Sequence, residues 1–149
     1  MSEIERKFLL SKIPDGIQIL TSVSISQCYI LSEGDKIVRI RQIGDKFILG
    51  FKKGMGIERL EKEIEISESD FNYLKFIDFS SCVSKIRHNS QLGNYIAEID
   101  EFTGRHKGLF IVEVEFPTLE EANKFVPPSW FGKEVTNEVE YTNVYLSRH

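Results

Sequence analysis

In six strand-like segments of this chain two like charges stand at positions i and i+2, and in five of these pairs an Ile or Val stands between. The pairs are Glu3/Glu5, Arg39/Arg41, Glu61/Glu63, Lys85/Arg87, Glu98/Asp100 and Glu113/Glu115. A β-strand sends alternate side chains to opposite faces, so each pair shares one face and its apolar neighbours take the other. A face that merely meets water mixes its charges, because exposed ion pairs contribute little and tolerate exchange. Here the sign is sorted by segment. Arg-x-Arg and Lys-x-Arg suit phosphate oxygens, and Glu-x-Glu or Glu-x-Asp suit a hard cation such as Mg2+ or Mn2+. One sheet face can therefore hold a metal-bound polyphosphate.

Apolar alternation predicts strands near 2–10, 23–32, 36–42, 46–52, 58–66, 82–89, 95–102 and 109–116. Between them stand Pro14-Asp15-Gly16, Glu33-Gly34-Asp35, Ile43-Gly44-Asp45, Gly54-Met55-Gly56, Leu92-Gly93-Asn94 and Thr103-Gly104, all with turn chemistry. Breaks this short make neighbours antiparallel. Ser67-Glu68-Ser69-Asp70 resembles a capping box, followed by a helical stripe of Phe71, Leu74, Phe76, Ile77 and Phe79. A second helix opens at Thr118-Leu119-Glu120-Glu121 and must stop before Pro127-Pro128, and a third is expected over 141–147.

The chain has 149 residues, 41% of them hydrophobic and 28% charged, which suits one soluble domain over 1–149. No apolar run approaches the ~20 residues of a membrane span, and the acidic, strand-like start is unlike a signal peptide. A cytoplasmic location and no membrane partner are expected. The net charge of −4 argues against a nucleic-acid partner, which needs a broad basic surface. Cys28 and Cys82 lie far apart without a nearby Cys or His spacing, which argues against a zinc site; they could pair only if the fold brought them together, and two reduced, partly buried thiols are expected. His88, His106 and His149 are equally scattered and receive no catalytic role.

The apolar helix stripes must bury against something, and Ile4, Phe8, Val38, Ile40, Ile64, Ile86 and Ile99 can supply it. The apolar strand faces then point outward under helices, and the charged faces point inward. This inverts the usual small barrel with its apolar filling. Enclosed charges are expensive unless paired, hydrated or met by ligand, so the interior is expected to bind a ligand.

Glu3-Ile4-Glu5-Arg6-Lys7-Phe8 resembles the Glu-x-Glu-x-Lys signature of the CYTH superfamily, the triphosphate tunnel metalloenzymes. The resemblance continues through Gln27-Cys28-Tyr29-Ile30, Val38-Arg39-Ile40-Arg41-Gln42, Lys52, Arg59-Leu60-Glu61-Lys62-Glu63, Lys85-Ile86-Arg87, Glu98-Ile99-Asp100, Val112-Glu113-Val114-Glu115-Phe116 and Trp130-Phe131-Gly132-Lys133-Glu134-Val135-Thr136. The order and spacing are most similar to those of the short bacterial inorganic tripolyphosphatases. The resemblance implies an α+β, mainly β fold: an eight-stranded antiparallel tunnel with a charged interior and helices outside.

By the same resemblance, Lys7, Arg39, Arg41, Lys52, Arg59, Lys85 and Arg87 bind phosphate. Glu3, Glu5, Glu61, Glu63, Glu98, Asp100, Glu113 and Glu115 form the acidic set that supplies metal ligands, with Glu3, Glu5, Glu113 and Glu115 the first candidates. Glu5, Lys85 and Tyr29 are the expected catalytic groups, Lys85 either orienting Tyr29 or stabilising the leaving phosphate. One Mg2+ or Mn2+ is expected on the triphosphate and a second beside the attacking water. The expected reaction is hydrolysis of inorganic tripolyphosphate to pyrophosphate and phosphate. Thiamine triphosphatase and class IV adenylyl cyclase are the alternatives within the resemblance, and a noncatalytic polyphosphate or nucleotide sensor is the alternative outside catalysis. A small triphosphate is the expected partner, with a homodimer also plausible. Three positions depart from the family pattern: Cys28 before the tunnel tyrosine, His88 after the Lys-x-Arg strand, and Glu140 before Tyr141. They bear on substrate preference and on closure by the last helix.

Overall fold

The protein is described by a computed structural model that covers residues 2–77 and 81–149. Its strands are β1 (Ser2–Leu10), β2 (Ile19–Glu33), β3 (Lys36–Ile43), β4 (Lys46–Lys53), β5 (Glu58–Ile66), β6 (Cys82–Leu92), β7 (Tyr95–Phe102) and β8 (Phe110–Glu115). They close into one antiparallel barrel in the order β1-β5-β4-β3-β2-β6-β7-β8. β2 and β6 run beyond their expected bounds because they pair from Ile19↔Ser90 to Cys28↔Cys82. The hairpin pairs Glu33↔Lys36, Ile43↔Lys46 and Leu92↔Tyr95 leave two-residue loops. Each loop begins with a glycine, Gly34, Gly44 or Gly93, at φ 59–60°, as a type II′ turn requires.

β1 changes partner along its length. It pairs with β5 over Ser2–Ile4 and with β8 over Glu5–Leu10. The edge released by β5 is taken by residues 132–135: the Gly132 N–H donates to the Leu9 carbonyl at 2.7 Å, Leu9 N–H to Lys133 at 2.9 Å, and Val135 N–H to Lys7 at 2.8 Å. A Cβ at position 132 would stand 2.6 Å from the Leu9 carbonyl oxygen, so only glycine admits this approach. The segment continues into α3 (Asn143–Arg148) and thereby brings that helix to the barrel.

The apolar strand faces do point outward. Ile4, Phe8, Ala97, Ile99, Val112 and Val114 pack beneath α2 (Leu119–Lys124) and the aromatic side chains of Phe125 and Phe131. On the other side α1 (Glu68–Ile77) lays Phe71 over Cys28 and Ile40. The three α-helices among the described residues are capped by hydroxyls: Ser67 accepts from the Asp70 N–H at 3.0 Å, Thr118 from Glu121 at 3.1 Å, and Thr142 from Tyr145 at 3.2 Å. Each such cap is worth about 1 kcal/mol.

Two expectations about the outer layer are corrected. The α1 stripe is only partly used: Phe71 is buried and Leu74 half-buried, but Phe76 is 83% exposed and Ile77 60%. At ~100° per residue Phe76 lies roughly 140° around the helix from Phe71, so one contact line cannot hold both. Phe79 lies outside the described residues. Ile64 is likewise 55% exposed, because α1 packs over the barrel through Phe71 and Leu74, which join Cys28, Ile40, Phe47 and Leu49 rather than Ile64.

The cysteine expectation is overturned as well. Cys28 and Cys82 form a disulfide across a sequence separation of 54, with Cα atoms 4.1 Å apart. They stand directly opposite on β2 and β6, a proximity that depends on strand register and has no trace in sequence spacing. No helix among the described residues is long and apolar enough to cross a membrane.

Candidate active site: the charged lumen

The inward faces enclose a cavity of ≈ 750 Å3, within the usual range for small-molecule sites. β1 contributes Glu3, Glu5 and Lys7, and β3 contributes Arg39 and Arg41. β4 adds Lys52, and β5 adds Arg59, Glu61 and Glu63. β6, β7 and β8 complete the wall with Lys85, Arg87, Glu98, Glu113 and Glu115, and Tyr29 enters from β2. Asp100 is set apart from the other expected ligands. It is 1% exposed and lies behind the lining.

The register explains the convergence. Inward residues of neighbouring strands oppose one another as Glu5↔Glu115, Lys7↔Glu113, Lys52↔Glu61, Arg87↔Asp100 and Glu98↔Glu113. A one-residue slip would turn all of them outward. Deeper in, Tyr29, Val83, Phe102 and Ile111 form an apolar cluster with Leu146 of α3, so the terminal helix packs against the lumen's apolar section.

Two kinds of ion pairing share this space. Around Asp100 it is tight: Arg87 donates from Nε at 2.8 Å and from Nη2 at 2.9 Å, and Lys85 Nζ stands 2.7 Å away. Burial acts to raise the Asp100 carboxyl, but Lys85 and Arg87 hold it below its usual value. With its oxygens so occupied, Asp100 anchors cations and is a poor metal ligand. Glu113 is similar: burial opposes ionisation, and Lys7, Arg87 and Lys85 overcome it.

Around the two arginines of β3 the pairing is looser. Arg39 approaches Glu61 at 3.5 Å and Arg41 approaches Glu63 at 3.7 Å. Buried Nε atoms of Arg39, Arg41 and Arg59 have no hydrogen-bond partner. A buried guanidinium donor left unmade is costly, and phosphate oxygens are its natural acceptors. Lys52 bridges Glu3 at 2.9 Å and Glu61 at 3.1 Å, and Arg59 reaches Glu5 at 2.9 Å.

Several lining acids stay raised in spite of such partners. Burial and then Glu113 raise the Glu5 carboxyl against Lys7 and Lys52. Burial, Glu3 and Glu5 raise Glu115. Glu98 is pushed up to about 7 by burial, with Arg87 opposing and Glu113 adding to it. Burial brings Lys85 down to about 8 despite Asp100, and Arg41 down to about 10 with help from Arg39.

Several polar contacts carry no charge-pattern signal. Gln27, fully buried, stands with Nε2 2.6 Å from the Tyr29 hydroxyl oxygen. Asn143 of α3 accepts a hydrogen bond from Lys85 Nζ at 3.0 Å. Neutral amides at isolated positions are invisible to alternation of charge. Of the three departures from the family pattern, Cys28 is in the disulfide. His88 faces Ser22 Oγ at 2.7 Å and Glu101 at 2.9 Å on the outer wall. Glu140 lies in the 3-10 turn Val139–Tyr141 that leads to α3.

A closed antiparallel barrel with bases and carboxylates turned into a small-molecule cavity is a tunnel for a compact polyanion. The chain belongs to the inorganic triphosphatase family, and with it to the triphosphate tunnel group that its motifs resemble. It is 38% identical over 149 residues to the inorganic triphosphatase of Nitrosomonas europaea, covering 99% of this chain and 97% of that one. To the inorganic triphosphatase of Acetivibrio thermocellus it is 37% identical over 150 residues, covering 99% and 94%. The crystal structure of an inorganic triphosphatase superposes with a TM-score of 0.73 at 34% identity, covering 99% of this chain and 95% of that one. No protein-family model matches the chain.

Proposed function

We propose that this chain is one domain that hydrolyses inorganic tripolyphosphate to pyrophosphate and phosphate inside the lumen, with a divalent cation. The observation that carries the reading is the set of buried, unpartnered Nε donors on Arg39 and Arg41, facing a cavity otherwise rich in carboxylates. Phosphoryl transfer asks for positioning and charge neutralisation more than covalent chemistry. Arg39 and Arg41 can exchange their long contacts to Glu61 and Glu63 for phosphate oxygens, and Lys7, Lys52, Arg59 and Arg87 add charge around them.

The acidic lining fits a divalent metal by its chemistry. Among the described residues no three His, Cys, Asp or Glu side chains stand as a formed ion site. However, Glu5 and Glu115 are raised by burial and by neighbouring acids, and a hard cation would relieve that repulsion. Glu3, Glu5, Glu113 and Glu115 would hold Mg2+ or Mn2+, with Glu61, Glu63 and Glu98 within the same lining; Asp100 is left out for its occupied oxygens. When bound, the metal would neutralise phosphate charge and lower the pKa of a water.

In the reaction, water oxygen bonds the terminal phosphorus, the anhydride P–O bond breaks, and pyrophosphate departs. Glu5, or Glu98 near neutral pH, accepts the water proton. Lys85 and Tyr29 face the lumen as the groups that steady the leaving oxygen. The test is phosphate release from tripolyphosphate, thiamine triphosphate and ATP in parallel, with Mg2+ or Mn2+ and with EDTA. Preferential tripolyphosphate turnover lost in EDTA is expected. Cyclic AMP and pyrophosphate from ATP would make it a cyclase, and binding without turnover would make it a sensor. A cytoplasmic setting is reducing and disfavours disulfides, so the assay should be run with and without a thiol reductant.

A further inference from the structure

Lys85 enters the lumen from β6 with its ammonium gripped from two directions. Asp100 of β7 lies 2.7 Å from Nζ, and Asn143 of α3 accepts from Nζ at 3.0 Å. The Phe102 ring faces a third side, 5.5 Å from Nζ. An ammonium has three donors on a freely rotating carbon. Two acceptors fixed on separate elements stop that rotation and aim the remaining N–H in one direction. Lys85 is among the residues that line the cavity and its side chain is 1% exposed, so an acceptor for the remaining N–H would have to be an oxygen seated against that wall. Asp100 alone could not do this, since a single acceptor leaves the ammonium free to spin about one axis.

Asn143 is itself rigidly placed. It is the first residue of α3, directly after the Thr142 cap. At the other end of the helix, Arg105 Nη2 donates to the Leu146 carbonyl at 3.0 Å and also to the Ser147 carbonyl, and His106 Nε2 stands 2.7 Å from the Leu146 carbonyl. The Ser147 hydroxyl meets Ser81 Oγ at 2.9 Å in the core. So short a helix has little stability of its own, and its anchoring to β6 and to the turn at Gly104–His106 explains why one of its side chains can hold a fixed position 58 residues away in sequence.

We infer that Asn143 is a positioning residue that fixes the Lys85 ammonium toward the leaving oxygen of the substrate and makes that alignment depend on the docked terminal helix. The inference rests on the proposed triphosphatase reading but is separately testable. The fully buried Lys85 ammonium should exchange slowly enough with water to give its own 15N–1H resonance, assigned by its loss in Lys85→Arg. Asn143→Leu should broaden or remove that resonance and lower kcat on tripolyphosphate about tenfold, with KM within about threefold, as expected for a group that orients a catalytic donor. Asn143→Asp keeps an acceptor of the same shape; it should keep the resonance and kcat within about threefold while raising KM, because its charge repels the polyanion. Ser147→Ala, which loosens the helix without touching Lys85, should lower the melting temperature and leave both resonance and kcat in place.

Retention of resonance and kcat in Asn143→Leu would overturn the inference. Equal loss of kcat in all three variants would also overturn it, leaving helix docking alone as the requirement. If the wild-type protein turns over no triphosphate, the functional proposal fails, while the resonance comparison still decides whether Asn143 fixes Lys85.

Discussion

The two sides of the lumen spend charge differently. Between β6 and β7, Asp100 is saturated by Arg87 and Lys85 at 2.7–2.9 Å. Around β1 and β8, Glu5 faces Glu115 across the sheet and both are raised by burial and by other acids. Glu98 and Asp100 stand two residues apart on one strand face, yet Glu98 is pushed up to about 7 while Asp100 is held low. The difference is the number of cations within contact. Saturated charge serves the fold, and under-neutralised charge is kept for something that is not protein.

Asp100→Asn breaks the comparison most severely. It leaves Lys85 and Arg87 buried beside a neutral amide, and removing one partner of a buried pair costs about 3–5 kcal/mol. Chemical denaturation should show that loss along with absent turnover; a stability change below about 1 kcal/mol would mean the site is wet and the saturation unimportant. The Cys28–Cys82 bond lies on the outer face of β2 and β6, behind the saturated side. Replacing both cysteines with Ala should lower stability by roughly 2–4 kcal/mol, since the bond closes a long loop, and should leave the affinity for tripolyphosphate nearly unchanged. Intact-mass measurement after alkylation without reductant checks that the bond is present.

Glu5→Gln sharpens the comparison from the other side. Gln keeps an oxygen for Arg59, which stands 2.9 Å from Glu5, and removes a carboxylate raised by burial and Glu113. Stability should therefore change by less than about 1 kcal/mol, while metal-dependent turnover falls about 100-fold or more. Full activity in this variant would remove Glu5 from the site.

A smaller effect follows pH. Lys85 carries its proton below about 8, so tripolyphosphate turnover that needs this charge should fall about tenfold per pH unit above that point. Lys85→Arg, charged throughout, should lose this alkaline limb even if its overall rate is lower. The linked stability has the opposite sign. Between about 8 and ~10.4, the ordinary lysine value, the unfolded chain binds more protons at this position, so its contribution to stability rises with pH. Smallest of all is Glu115→Gln, which removes a carboxylate raised by burial, Glu3 and Glu5, and thermal melting should show a gain of about 0.5 kcal/mol or less.

Much of the barrel was legible because alternation is a property of the strand itself. The segments around Val38-Arg39-Ile40-Arg41 and Val112-Glu113-Val114-Glu115 declare both their conformation and their two faces, and the inverted polarity follows from having apolar helix stripes to cover. The same logic brought Glu5, Lys7, Arg39, Arg41, Lys85 and Arg87 to one cavity before any pairing was known. It overreached where apolar content was taken as burial. Phe76, Ile77 and Ile64 have the right side chains, but α1 meets the barrel along one line, and its cluster takes in Ile66 of β5 while leaving Ile64 outside.

The sequence by itself determined the strands, the turns that force them antiparallel, and which residues share a face, because each of these depends on neighbours within a few positions. The tertiary structure alone decided partnership. The pairing of β2 with β6 turned two distant cysteines into a disulfide, the Arg87↔Asp100 register made one acid of the β7 pair an anchor and left the other near neutrality, and the return of the terminal helix brought Asn143 to Lys85. Those outcomes depend on which charge stands within a few ångströms of which, and Coulomb and hydrogen-bond energies read that distance, whereas spacing along the chain does not record it.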